Sequence, residues 1–295
     1  MINQASHIAA SGLAAATEHR SLSFPYVPIP ESLYYWGPVT ASINWCEEDY
    51  VVTKYIAEFC NTTTNAVFVI LAAIAIRNAI RYHYERRILL TSFGFMLVGV
   101  GKFQLLDELP MIYTTLIMFW GIFDQGLTRK SSIALGGVTV AMGVGITWYY
   151  LVNKNPVFHE VAYGLITASV LFKSWHLTAT QVKDPVAKAD MKYCTITGSV
   201  TFLTGFALWG VDRAVCSDLT RARHFMGIPW GFILELHGWW HLLTGTGVAL
   251  FIIFLTHLRL HLTDRQDDFE MQYTARLWPT LVRKDGYKRV NDHEA

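Results

Sequence analysis

Glu235-Leu-His-Gly-Trp-Trp-His-Leu-Leu-Thr-Gly-Thr-Gly247 belongs to a run that stays apolar to Leu258, and Glu235 is its only Asp, Glu, Lys or Arg from Gly231 onward. A helix that crosses a bilayer needs about 20 such residues, so 231–258 reads as a membrane span. Working back along the chain, comparable runs occur at 58–80, 88–101, 104–123, 133–151, 157–177 and 193–211. The connecting segments are short and polar, with no repeat period and no low-complexity tract. The expected fold class is therefore all-α, a polytopic membrane protein with seven transmembrane helices.

Composition agrees. The 295 residues are 52% hydrophobic and 16% charged, with mean hydropathy +0.28, whereas a soluble domain is about a quarter charged. A soluble enzyme and a disordered chain are both excluded. With 24 basic and 23 acidic side chains there is no net field to hold nucleic acid. Ten Trp, 14 Tyr and 17 Phe suit the aromatic belts of membrane interfaces.

Three regions are expected: an N-terminal extension, 1–33, poorly ordered; a seven-helix domain, 34–262; and a C-terminal tail, 263–295. The apolar patch in the first 20 residues is short, Ala-rich and lacks a basic stretch before it, so no cleaved signal peptide is expected. Basic side chains set the orientation. Arg77, Arg81, Arg86 and Arg87 follow the first span, while acids crowd the segment before it. The N-terminus should face the lumen and the C-terminus the cytosol, which leaves most Lys and Arg cytosolic. The second span is short: 88–101 makes about 21 Å of helix against roughly 30 Å of hydrocarbon.

His237 and His241 stand four apart, so a helix points both imidazoles the same way, one turn apart. That spacing lets one helix face present two ligands to a zinc ion. Two buried, hydrogen-bonded histidines are the competing reading, but an ionisable side chain within a membrane is costly and marks a site. Asp107 and Glu108 begin another span before Pro110. Either could orient or deprotonate a metal-bound water, or the pair could lie in the interface, with Asp107 capping a helix. Asn44, Glu47, Glu48, Asp49 and Glu58 offer hard oxygen ligands of the kind calcium takes. An acidic luminal loop is the simpler reading. The spacing is not that of an EF-hand.

Of the four cysteines, Cys60 and Cys194 fall within or beside spans and read as buried thiols. Cys46 and Cys216 both fall on the expected luminal, oxidising side, where a Cys46–Cys216 disulfide is expected. Arg213, Arg221, Arg223 and His224 read as a solvated face.

Three separated motifs, in order, carry a resemblance: Tyr34 to Thr62 (YYWGPVTASINWCEEDYVVTKYIAEFCNT), Gln104 to Tyr113 (QLLDELPMIY) and His237 to Gly247 (HGWWHLLTGTG). Together they resemble the alkaline ceramidase family, part of a wider group of seven-span, zinc-dependent membrane hydrolases. The resemblance runs from about Tyr34 to about Trp278. It implies an enzyme of the endoplasmic reticulum or Golgi that cleaves the amide of ceramides to a sphingoid base and a fatty acid. The implied partners are ceramide and membrane lipids, with no obligate protein partner.

In that family three histidines hold zinc, assisted by an aspartate and a serine. His237 and His241 match two of the zinc ligands, and Asp107 matches the catalytic aspartate. The resemblance also implies Ca2+ on Asn44, Trp45 (through its backbone carbonyl), Glu47, Asp49 and Glu58. Asn44 stands where Asp is usual and Asp49 where Asn is usual, an exchange that keeps both the oxygen donors and the charge. Between Gly101 and Gln104 the family's serine and first zinc histidine have no counterpart, at the same place where the second span runs short. Since a catalytic zinc takes three protein ligands and one open position, the expectation is weakened zinc binding unless Asp107 becomes a ligand. A receptor-like or lipid-binding protein on the same scaffold is the rival reading. A transporter would spread charge over several spans and ranks last.

Overall fold

The computed structural model describes residues 23–39, 45–98, 104–153 and 156–284, with only the backbone for 104–108 and 156. Asn44, and the place between Gly101 and Gln104 where the family's serine and histidine find no match, lie outside the described residues. The helices are α1 (Phe59–Thr64), α2 (Ala66–Arg81), α3 (Arg86–Val98), α4 (Gln104–Phe123), α5 (Arg129–Asn153), α6 (Pro156–Gln181), α7 (Pro185–Ala214), α8 (Cys216–Met226) and α9 (Leu236–Leu262). A hairpin of β1 (Phe269–Thr274) and β2 (Trp278–Arg283) follows. The chain divides into two compact units, Met1–Thr63 with Leu208–Trp239, and Thr64–Ala207 with Trp240–Ala295.

Among the described residues, four helical stretches are long and apolar enough to cross a membrane: Phe59–Arg81, Arg129–Asn153, Pro185–Ala214 and Leu236–Leu262. The protein is a helical membrane protein. Where described, the apolar runs read from the sequence fall largely on helices, but the ends shift where polar chemistry sets them. α7 starts at Pro185 rather than near Tyr193, because the Asp184 carboxylate accepts the Val186 and Ala187 backbone N–H groups at 3.0 and 3.2 Å. A capping carboxylate followed by Pro at the first helical position starts a helix whatever the polarity of its first turns. α3 has 13 described residues, too few to cross alone.

In the larger unit, Phe68, Phe95, Ile122, Met191, Phe254 and Leu258 belong to one core. α9 is the helix this core encloses: 67% of its apolar window is buried, against 17–22% for the other three long stretches. Those three turn side chains such as Val140, Val200 and Leu203 outward, as lipid-facing helices do. α7 and α9 approach backbone to backbone, since a Cβ on Gly247 would lie 2.8 Å from the Gly198 carbonyl oxygen. Small residues permit that approach and the packing it brings. Hydroxyls along the spans donate to the carbonyl four residues back, as Thr147 does to Gly143 and Thr201 to Thr197. No water is then needed to satisfy them.

Charge gathers in one knot of this unit, in which Asp124 and Arg259 are buried and Glu85 and Arg87 half-buried. Arg259 donates to both Glu85 oxygens, to the Asp124 carboxylate at 3.0 Å and to the Gly121 carbonyl at 3.0 Å. Arg87 pairs with the other Asp124 oxygen and lies 4.5 Å over the Trp120 ring. Two arginines and two carboxylates thus balance.

Two features add to the expected architecture. The all-α class omits the hairpin, whose strands pair antiparallel from Phe269↔Arg283 to Thr274↔Trp278. Phe269 and Leu281 bury themselves with Leu260, so burial docks a tail segment that carries too little apolar sequence to announce itself. The second concerns the extension, of which residues 23–33 are held in the smaller unit. Phe24 exchanges backbone hydrogen bonds with Ile228 at 2.8 and 2.7 Å, Tyr26 is buried, and Ile29 N–H donates to the Tyr50 carbonyl.

Candidate active site and acidic loop

His237 and His241 lie in the first turns of α9 and are 3% and 2% exposed. In the smaller unit the Trp45 ring meets the His237 imidazole edge-to-face, with centroids 4.7 Å apart. In the larger unit His241 Nδ1 lies 3.1 Å from the Thr64 hydroxyl, and Phe68 packs 5.9 Å away. A hydroxyl at Nδ1 fixes the plane of the His241 ring, the kind of supporting contact that orients a metal-binding imidazole. Asp107 falls in the first turn of α4; its side chain lies outside the described residues. Among the described residues, no three His, Cys, Asp or Glu side chains converge on a metal-sized space.

The acidic loop is built inside the smaller unit. Glu47 accepts the backbone N–H groups of Cys60 and Asn61 at 2.6 and 2.7 Å, one on each oxygen, and so ties the loop to the start of α1. Glu58 accepts the Asn61 side-chain amide. Burial pushes the carboxyls of Glu47, Asp49 and Glu58 up, and that of Glu58, raised also by the charges of Glu47 and Asp49, reaches about 7. Three carboxyls whose charged form is disfavoured by burial are what a divalent cation would relieve. Their donor chemistry suits Ca2+, although they are not drawn into a cage.

Cys46 and Cys216 are joined in a disulfide with Cα atoms 5.4 Å apart, while Cys60 and Cys194 are buried free thiols. One expectation fails outright. Arg223 is not on a solvated face but is wholly buried, donating to Glu235 at 2.6 Å, to the Cys46 carbonyl at 2.5 Å and to Thr220 at 3.0 Å. Glu235 also receives the Tyr26 hydroxyl at 3.4 Å; burial holds its carboxyl up at about 8 although Arg223 pulls it down. Its neighbours in the helix, Arg221 and His224, do stay at the surface, where Arg221 pairs with Asp218 and His224 with Glu48.

Asp212 was also missed. It is 1% exposed and faces the leading backbone N–H groups of α9, those of Leu236 and His237, and the Arg223 guanidinium. A charged residue near the end of a long apolar run is the signal that could have found it.

A family profile described as Ceramidase matches residues 37–282, an interval that contains the acidic loop, Asp107 and both histidines. The chain belongs to the ceramidase family. It is 35% identical over 275 residues to the alkaline ceramidase YPC1 of Saccharomyces cerevisiae, covering 84% of this chain and 86% of the relative. It is 32% identical over 260 residues to alkaline ceramidase 3 of Mus musculus, covering 84% and 94%. An alkaline ceramidase of Arabidopsis thaliana is 26% identical over 218 residues, covering 70% and 79%. Nothing in these ceramidase relatives favours the receptor-like alternative.

Proposed function

We propose that this ceramidase-family chain hydrolyses the N-acyl amide of ceramides, releasing a sphingoid base and a fatty acid. Family membership across 37–282 carries the reading. The reading includes seven spans, an N-terminus in the lumen of the endoplasmic reticulum or Golgi, and a cytosolic C-terminus.

His237 and His241 would hold Zn2+. Their types and spacing fit two of the three protein positions such an ion takes, and the hydroxyl at His241 Nδ1 supports it. A zinc ion there would supply Lewis-acid chemistry, making a water easier to deprotonate and polarising a carbonyl oxygen. Asp107 takes the proton from the attacking water and returns one to the departing amine, so that acid and base duty fall on one carboxyl. Trp45 against His237 and Phe68 against His241 keep the imidazoles dry and fixed. Asn44, the Trp45 carbonyl, Glu47, Asp49 and Glu58 would hold Ca2+ and so stiffen the segment that carries Trp45. The long chains of the substrate stay in the bilayer while its amide reaches the histidines.

The test is to reconstitute purified full-length protein with ceramide and to follow free sphingoid base and fatty acid by mass spectrometry. Equimolar release of both products, absent from His241→Ala protein, supports the reading. Binding of ceramide with no release of either overturns it.

A further inference from the structure

We propose that the tip of the C-terminal hairpin is a membrane-surface contact, seated among the headgroups of anionic phospholipids. The inference needs only the larger unit and its apolar helices, and stands apart from the reaction. The hairpin lies along the first turns of α7 rather than projecting away from them. Tyr273 donates its hydroxyl to Asp190 at 2.7 Å, Tyr193 donates its own to the Leu277 carbonyl at 2.8 Å, and the two rings meet edge-to-face at 5.8 Å.

Tyr193 sits about 12 Å along α7 from Pro185, where that helix passes from polar to apolar sequence. Tyrosines favour this depth because the ring can be apolar and the hydroxyl wet. Leu277, fixed to Tyr193 through its carbonyl, therefore lies at the level where lipid begins, yet its side chain is 69% exposed. Ile196 and Val200, which share the Tyr193 face of α7 by their three- and seven-residue spacing, are exposed as well.

The turn itself points the same way. The Leu277 N–H donates to the Thr274 carbonyl at 3.1 Å, closing a β-turn within the three-residue connection whose central residues, Ala275 and Arg276, have φ angles of +50° and +59°. Such turns favour Asn-Gly, since a Cβ is strained at positive φ. An arginine at the second position, next to an exposed leucine, is costly for the turn and suited to a phosphate. Lys192, also exposed, is a second cation in the same turn of α7, one residue before Tyr193. Basic side chains with one apolar neighbour match an anionic leaflet surface.

The experiment uses the full chain with Leu277→Cys. The native cysteines are buried or paired, so an environment-sensitive fluorophore reports from this site. In vesicles, a label at 277 should emit as from a lipid interface and lose more than half its intensity to nitroxide-bearing lipids. Glu270→Cys, near the hairpin base, should instead be quenched by aqueous iodide. Raising phosphatidylserine from none to about a third of the lipid should deepen lipid quenching at 277, and Arg276→Glu should abolish that dependence. Aqueous behaviour at 277 in every vesicle overturns the proposal. So does quenching that ignores lipid charge, or disulfide-linked dimers through residue 277, which would assign the tip to a second copy.

Discussion

Arg223 and Glu235 meet at 2.6 Å with 0% and 3% of their side chains exposed. They link helix α8 to the residue just before α9, and the guanidinium also reaches the backbone carbonyl of the disulfide cysteine Cys46. The two partners respond differently to loss of the other. A carboxyl can shed its charge by taking a proton, whereas a guanidinium keeps its proton at any accessible pH.

Glu235→Ala is therefore expected to destabilise the fold by roughly 3–5 kcal/mol at every pH, since it strands a buried cation. Arg223→Met should cost more at pH 9 than at pH 6. Glu235 already has its carboxyl raised to about 8 by burial, faces Glu47, Asp212 and Glu48, and receives Tyr26. Without the arginine its folded pKa rises further, so stability present at acid pH is lost as pH climbs. Thermal unfolding of detergent-solubilised variants at the two pH values reads the difference.

The Asp124 knot makes a second stability prediction. Asp124→Ala leaves Arg87 and Arg259 without their shared carboxylate and should lower the midpoint of thermal unfolding by several degrees, from a loss of roughly 3 kcal/mol. Asp124→Asn keeps an acceptor and should fall between. Equal midpoints for wild type and Asp124→Ala would show that the pair contributes nothing net.

Calcium binding should strengthen with pH. Glu58 has a folded pKa of about 7 against an ordinary 4.5, so without the ion the fold holds that proton more tightly than the unfolded chain. The stability this contributes is full below 4.5 and is lost as pH rises through 7. An ion that must displace the proton gains affinity by about tenfold per pH unit below 7 and levels off above it. Calcium titrations by thermal shift at pH 6, 7 and 8 should show this trend. Glu58→Gln should flatten it.

For zinc, His237→Ala and His241→Ala are each expected to remove bound metal and at least 100-fold of the ceramide hydrolysis. Thr64→Val deletes the hydroxyl at His241 Nδ1 and should weaken zinc about 10–100-fold while leaving the fold intact. Metal content after dialysis against a graded chelator distinguishes these variants. A Thr64→Val protein as retentive as wild type would deny that hydroxyl any role.

Helical membrane architecture was legible because apolar runs are long and direct: α4 matches its run residue for residue, whereas the polar first turns of α5 and α7 hid where those helices start. The histidine pair was visible through its four-residue spacing. What stayed hidden depends on contacts distant in sequence. Arg223 looks like any loop arginine until Glu235 and the Cys46 carbonyl close around it. Thr64 lies 177 residues from His241, and no local pattern links them. The hairpin escaped notice because each strand is only 6 residues long and takes its stability from Leu260 and Tyr84.

The bond between Cys46 and Cys216 spans 170 residues, and helices α1 to α7 lie inside the ring it closes. A protease that nicks any single connector within that ring, such as the one between Gln181 and Pro185, cannot release a fragment. The cut chain stays one covalent particle and runs as two pieces only after a thiol is added.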